Sequence, residues 1–185
     1  MMAPLKPGDL AGSLRIDRVL GQGASGITYL ATDIQHHERP CVIKEFAPAH
    51  LAVRKDDGSL QALEARSFAK GLEAFRSEIS SLATLNHPNI IDLVNYFEAN
   101  GTGYLQMPWY DGEPLHKLLQ RGGALNRTEV LDLAIPLIDA LIYLHERGLV
   151  HRDIKPANVF ITREGKPLLI DFGARGTSGS EGYAA

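Results

Sequence analysis

His151-Arg152-Asp153-Ile154-Lys155-Pro156-Ala157-Asn158 is the stretch on which the reading of this chain turns. Thirteen residues beyond Asn158 stands Asp171, followed by Phe172 and Gly173. Two carboxylates, an amide and an ammonium therefore fall in one short segment that reads as strand, turn and strand. Asp153 can accept a proton from a hydroxyl, and Lys155 can neutralise a phosphoryl oxygen. Asn158 and Asp171 supply the hard oxygen donors that Mg2+ takes in near-octahedral geometry. This set suits phosphoryl transfer, in which catalysis is mostly positioning and charge neutralisation.

The rest of the chain bounds the answer. Its 185 residues suffice for one domain with a sizeable core. With 19 basic and 22 acidic residues the net charge is −3, which points to neither nucleic acid nor a membrane surface as partner. The one cysteine, Cys41, excludes an internal disulfide and suits a reducing, cytoplasmic compartment. The first residues hold no apolar run of signal-peptide length. The most apolar stretch, Leu133 to Leu144, is twelve residues long and is broken by Pro136 and Asp139. It reads as a core helix, not a membrane span.

Residues 1–12 are rich in proline and glycine and read as a flexible leader. Leu14 to Leu20 alternates as a strand does. Gly21-Gln22-Gly23-Ala24-Ser25-Gly26 follows, and then Ile27-Thr28-Tyr29-Leu30-Ala31. A dinucleotide fingerprint needs a helix after its glycines. The β-branched and aromatic run here predicts a strand instead. Glycines between two strands allow close backbone approach, with N–H groups facing an anion. Cys41-Val42-Ile43-Lys44 is a short apolar run ending in a lysine. Phe68, Leu72, Phe75, Ile79 and Leu82 mark one face of a helix, with Glu78 on its edge. A half-buried carboxylate needs a partner; Lys44 is one candidate and local pairing with Arg76 another.

At His151–Asn158 and Asp171–Gly173 the chain resembles the protein kinases, and Lys155 two places after Asp153 resembles the serine/threonine type. The glycine stretch is similar to the flap that kinases fold over ATP phosphates. By that resemblance Lys44 holds the α- and β-phosphates and Glu78 holds Lys44. Gly21, Gly23, Gly26, Thr28 and Phe160 would line the nucleotide. Val42 stands where the family usually has alanine against the adenine. Met107 would be the gatekeeper, and the Pro108 carbonyl and the Tyr110 N–H would bond the adenine. Proline keeps its carbonyl, so that role survives.

The resemblance implies an α+β, two-lobe kinase-like fold with an antiparallel β-rich N-lobe over 13–107 and a hinge with an incomplete helical C-lobe over 108–185. Between Lys44 and Glu78 lie 33 residues, long for the family. An insert over about 46–66 is therefore expected, as a turn and short helix followed by an exposed hairpin or loop. It resembles a segment of bacterial kinases with Lys-Glu-Phe/Tyr-x-Pro after the strand. The implied cofactors are ATP and Mg2+, and the implied activity is phosphorylation of Ser or Thr in an unspecified protein. An ATP-binding scaffold without transfer and a small-molecule phosphotransferase are the alternatives.

Further along, Ile91 to Phe97 and Tyr104 to Met107 read as strands around Asn100-Gly101. Asp111 to Pro114 reads as the start of a short helix, and Asn126-Arg127-Thr128-Glu129 as a capping box opening a long one. The apolar residues of that long helix lie nearly all round its axis, so it wants burial on every side. The strands 159–162 and 168–170 can cover one side only. A completing C-terminal region or a partner chain is expected to cover the rest. Thr177, Ser178 and Ser180 are the hydroxyls of the expected activation segment, and Arg152 could pair with one of them if phosphorylated.

Overall fold

The computed structural model describes residues 2–170. Four strands open the chain: β1 (Leu10–Ala11), β2 (Leu14–Gln22), β3 (Gly26–Asp33) and β4 (Arg39–Phe46). A small hairpin follows, β5 (Ala52–Arg54) and β6 (Leu60–Ala62), then helix α1 (Ala65–Leu82), β7 (Asn95–Ala99) and β8 (Thr102–Pro108). Six of these strands form one antiparallel sheet in the order β1-β2-β3-β4-β8-β7.

The period-2 pattern decides which face each residue takes. Ile27, Tyr29 and Ala31 lie opposite Glu45, Ile43 and Cys41 on one face, all of them buried. Thr28 and Leu30 lie opposite Lys44 and Val42 on the other, which is half-buried. Helix α1 packs on this second face. Its Phe68 and Phe75 rings stand 5.5 and 5.6 Å from the ring of Phe46. Glu64 caps α1 by accepting hydrogen bonds from the Arg66 and Ser67 N–H groups at 2.9 and 2.7 Å. The helix thus starts three residues before Phe68, where the apolar periodicity first shows it.

The leader is not loose. Met2 and Leu5 are buried, and the Leu5 N–H donates to the Tyr29 hydroxyl at 3.0 Å. Two isolated apolar residues carry no periodic signal, yet they cover the first face of the sheet. The insert also departs from expectation. The segment after Phe46 makes a turn, with the Leu51 N–H bonded to the Pro48 carbonyl at 2.9 Å, and runs directly into the β5–β6 hairpin without a helix.

The second part of the chain contains β9 (Gly112–Pro114), α2 (Leu115–Gly122), α3 (Arg127–Glu146), a single 3-10 turn at Pro156–Asn158, β10 (Val159–Thr162) and β11 (Pro167–Leu169). Asp111 to Pro114 is therefore not the start of a helix. Gly112 pairs with Thr162, and a Cβ there would collide with the Ile161 carbonyl, so glycine permits the strand contact. The capping box at Asn126 and Glu129 is present with both reciprocal bonds. Helix α3 buries Ala140 and Leu144 against Ile90, Val159, Ile161 and Leu169. Leu131, Ile135, Ile138 and Ile142 form its exposed stripe.

The two parts are joined by backbone bonds. Ile91 N–H donates to the Leu169 carbonyl at 3.0 Å, and Leu169 N–H to the Asn89 carbonyl at 2.8 Å. These bonds draw 89–91 out of the sheet, so β7 begins only at Asn95. His87 helps: its Nδ1 accepts from the Asn89 N–H, and its ring lies against Tyr143.

Candidate active site

The loop between α3 and β10 gathers the charged groups. Arg152 sits at φ 64°, a conformation that costs a non-glycine residue energy and that recurs at functional loops. After it the chain presents Asp153. Lys155 Nζ donates to Asp153 Oδ2 at 2.7 Å, and Asn158 Nδ2 donates to the same oxygen at 2.9 Å. Asn158 Nδ2 also donates to the Asp153 carbonyl at 2.9 Å. Pro156 starts the 3-10 turn, whose Asn158 N–H returns to the Lys155 carbonyl at 2.8 Å. The turn is what brings residues five apart into contact. Asp153 and Lys155 keep side-chain exposures of 41 and 51 %, so a substrate can reach both.

Asn158 is buried and is held from the far side by Ile170, whose N–H donates to its carbonyl at 3.0 Å. Among the described residues both bonds of the side-chain amide come from its nitrogen, which leaves its oxygen suited to a cation. That is the donor a hard ion such as Mg2+ takes. The other expected ligand, Asp171, lies outside the described residues, as do Phe172, Gly173 and the hydroxyls of Thr177, Ser178 and Ser180. Among the described residues no group of three His, Cys, Asp or Glu forms a metal cluster.

The glycine stretch is a hairpin turn between β2 and β3, closed by the Gly23 N–H on the Gly26 carbonyl at 2.9 Å. Its glycines differ in kind. A Cβ on Gly21 or Gly23 would meet nothing, which leaves that surface open to a ligand. A Cβ on Gly26 would collide with the Glu45 carbonyl, so this glycine serves packing between β3 and β4. Lys44 pairs across to Thr28 on one side and Leu105 on the other, so flap and lysine share one sheet face. Val42 stands between Leu30 and Met107 on that same face. Glu78 lies half-buried on α1, between the buried Phe75 and Ile79.

Pro108 ends β8, and Tyr110 donates its hydroxyl to Asp92 at 3.1 Å. Burial, then the Asp92 charge, pushes the Tyr110 phenol upward. Phe160 is half-buried on β10, paired with Pro114 of β9. The sheet thus brings Gly21, Thr28, Val42, Lys44 and Met107 into register, and the 3-10 turn brings Asp153, Lys155 and Asn158 together.

One cluster escaped the sequence reading. Glu45, next to Lys44 but on the opposite face, is fully buried and bonded to Arg54, Tyr29 and Tyr104. A signal for it existed. Cys41, Ile43 and Glu45 alternate inward, which puts a carboxylate on a buried face and demands a cationic partner.

Comparison with known proteins agrees with this geometry. The protein kinase domain family matches residues 14–182. The serine/threonine-protein kinase PknA of Nostoc sp. is 35 % identical over 164 residues, covering 86 % of this chain and 27 % of that protein. Serine/threonine-protein kinase C of Synechocystis sp. is 36 % identical over 177 residues, covering 94 % of this chain and 30 % of its own length. Among solved structures, the apo form of PpkA-294 superposes with a TM-score of 0.84 at 34 % identity, covering 92 % of this chain and 62 % of that one. The chain thus spans less than a third of the length of these two curated relatives.

Proposed function

Because the chain belongs to the protein kinase domain family, we propose that it transfers the γ-phosphoryl group of ATP to serine or threonine hydroxyls of a protein. The observation that carries this reading is the single carboxylate oxygen of Asp153 held by both Lys155 and Asn158. In the reaction the substrate hydroxyl oxygen bonds to the γ-phosphorus, and the bond from that phosphorus to the β,γ-bridging oxygen breaks. ADP leaves with that electron pair, and the hydroxyl proton passes to Asp153. Asp153 orients the hydroxyl, and Lys155 neutralises charge on the transferred group. Lys44, held by Glu78, positions the α- and β-phosphates beneath the flap of Gly21, Gly23 and Gly26. Thr28, Val42, Met107 and Phe160 line the nucleotide, and Pro108 and Tyr110 bond the adenine.

Asn158 and Asp171 are the residues that would hold Mg2+, which would offset the charge on the phosphate oxygens. The reaction is assigned to the cytoplasm; no helix among the described residues is long and apolar enough to cross a membrane.

The exposed stripe of α3 favours a second reading, an ATP-binding module without transfer. Intact mass before and after incubation with MgATP and a Ser/Thr-rich peptide separates the two, with Asp153→Asn alongside. Phosphate appearing on peptide or protein in the wild type alone supports transfer. ATP-dependent stabilisation without phosphate supports the module. Neither outcome, with no nucleotide bound at all, overturns both.

A further inference from the structure

Glu45 has no part in the chemistry just described, yet it is the most heavily bonded buried charge among the described residues. Arg54 Nη2 donates to its Oε2 at 2.6 Å and Nη1 to its Oε1 at 3.1 Å. The Tyr29 and Tyr104 hydroxyls donate to the same two oxygens at 2.8 and 2.7 Å. The Glu45 side chain is 0 % exposed and that of Arg54 6 %. A buried pair of this kind is weak evidence for stability, since neutral residues of similar volume often serve as well. Its location is more informative.

Three connections radiate from the pair toward the groups assigned to ATP. Glu45 follows Lys44 on β4, so the bonded carboxylate on one face fixes the strand from which the lysine leaves on the other. The Glu45 carbonyl occupies the space that Gly26 leaves open at the base of the flap. Arg54 Nε donates to the Ala3 carbonyl at 2.6 Å, and the neighbouring Met2 carbonyl accepts from Gln22 Nε2 at 2.6 Å. Gln22 lies between Gly21 and Gly23, the two flap glycines that face open space. The hairpin is tied into the same knot by Arg54 Nη1 on the Gly58 carbonyl at 2.8 Å.

We propose that Glu45 and Arg54 are positioning residues for nucleotide binding: their buried pair ties the N-terminal segment and the β5–β6 hairpin to the corner that carries Lys44 and the glycine flap. The insert is then a brace for the phosphate site. This inference rests on the kinase reading above. Lys44 and the flap grip the phosphates in ground and transition states alike, so loosening them weakens nucleotide binding rather than the chemical step.

The test is steady-state kinetics of Glu45→Gln/Arg54→Met, which removes both charges together and leaves neither buried alone. We expect a folded protein whose KM for MgATP rises about tenfold while kcat and the KM for peptide stay within about twofold. Arg54→Lys keeps the charge but loses the planar fork. It covers the case in which the double variant does not fold, and its KM for MgATP should rise by about threefold. Asn126→Ala, destabilising but at the exposed N-terminus of α3 and outside the residues assigned to ATP and Mg2+, should leave that KM unchanged. A folded double variant, or failing that Arg54→Lys, with the wild-type KM for MgATP overturns the proposal. So does an equal rise in Asn126→Ala, which would reduce the effect to general stability. If the wild type binds a fluorescent ATP analogue with Mg2+ but transfers nothing, the same comparison is made on dissociation constants. A wild type that binds no nucleotide fails the kinase reading itself, and the positioning role falls with it.

Discussion

Two of the donors to Asp153 differ in strength and purpose. Lys155 is an exposed ammonium whose contact is solvent-screened. Asn158 is buried and geometrically fixed. Asp153→Asn should therefore leave the unfolding midpoint nearly unchanged while lowering kcat by about 10^2- to 10^4-fold, the usual range for a positioned base. Asn158→Ala removes two hydrogen bonds and should cost roughly 1–3 kcal/mol of stability, read by urea denaturation, besides raising the Mg2+ concentration needed for transfer.

Cys41 gives a third test at this scale. Burial pushes its thiol from 9.0 up to about 11, with the Asp33 charge adding to the effect. A raised pKa means that the folded state prefers the neutral thiol. That contribution is complete below pH 9.0 and is lost as pH rises through about 11. Tyr29 and Tyr104 are shifted upward too, by burial and then by Glu45, so their share begins to fade above 10.0. The unfolding midpoint should be flat from neutral pH to 9 and fall above it, and Cys41→Ala should remove the earlier part of that fall.

Among the elements, the long helix α3 shows how much local sequence can specify. The Asn126–Glu129 box satisfies N–H groups that would otherwise lack partners, with Asn126 Oδ1 accepting from Thr128 and Glu129 N–H at 2.9 and 3.0 Å. Asn126→Ala should cost about 1 kcal/mol, read in the same denaturation assay. Such a motif is legible because all its partners lie within four residues. The leader and the insert were not legible for the opposite reason. Met2 and Leu5 find their partners 20 and 24 residues away, and Arg54 reaches Glu45 nine residues back across a turn, so no short period marks them. Pairing of Gly112 with Thr162 likewise overrode the helical look of residues 111–114, because β10 needed an edge partner.

Across the whole molecule, the two faces of α3 differ in consequence. Leu144 lies fully buried against β11, whereas Ile135 is 63 % exposed. Leu144→Ala should cost about 2–5 kcal/mol. Ile135→Lys should change the stability of this chain by less than about 0.5 kcal/mol, as for other solvent-facing positions. A loss at Ile135 as large as that at Leu144 would mean that the stripe is covered in solution.

From the sequence alone came the features that depend on neighbours along the chain. These are the strand–glycine–strand flap, the apolar stripe of α1, the capping box, and the turn that sets Asp153, Lys155 and Asn158 within reach of one another. Hydrogen-bond geometry and periodicity act over a few residues, so the residue types suffice to read them. The tertiary structure decided what sits behind those features. It chose Gly26 for packing, laid residues 2–5 across the sheet, and drove Arg54 into Glu45. Those outcomes follow from burying a carboxylate: once the alternation of β4 places Glu45 inside, only a cation brought from elsewhere in the fold can offset its desolvation.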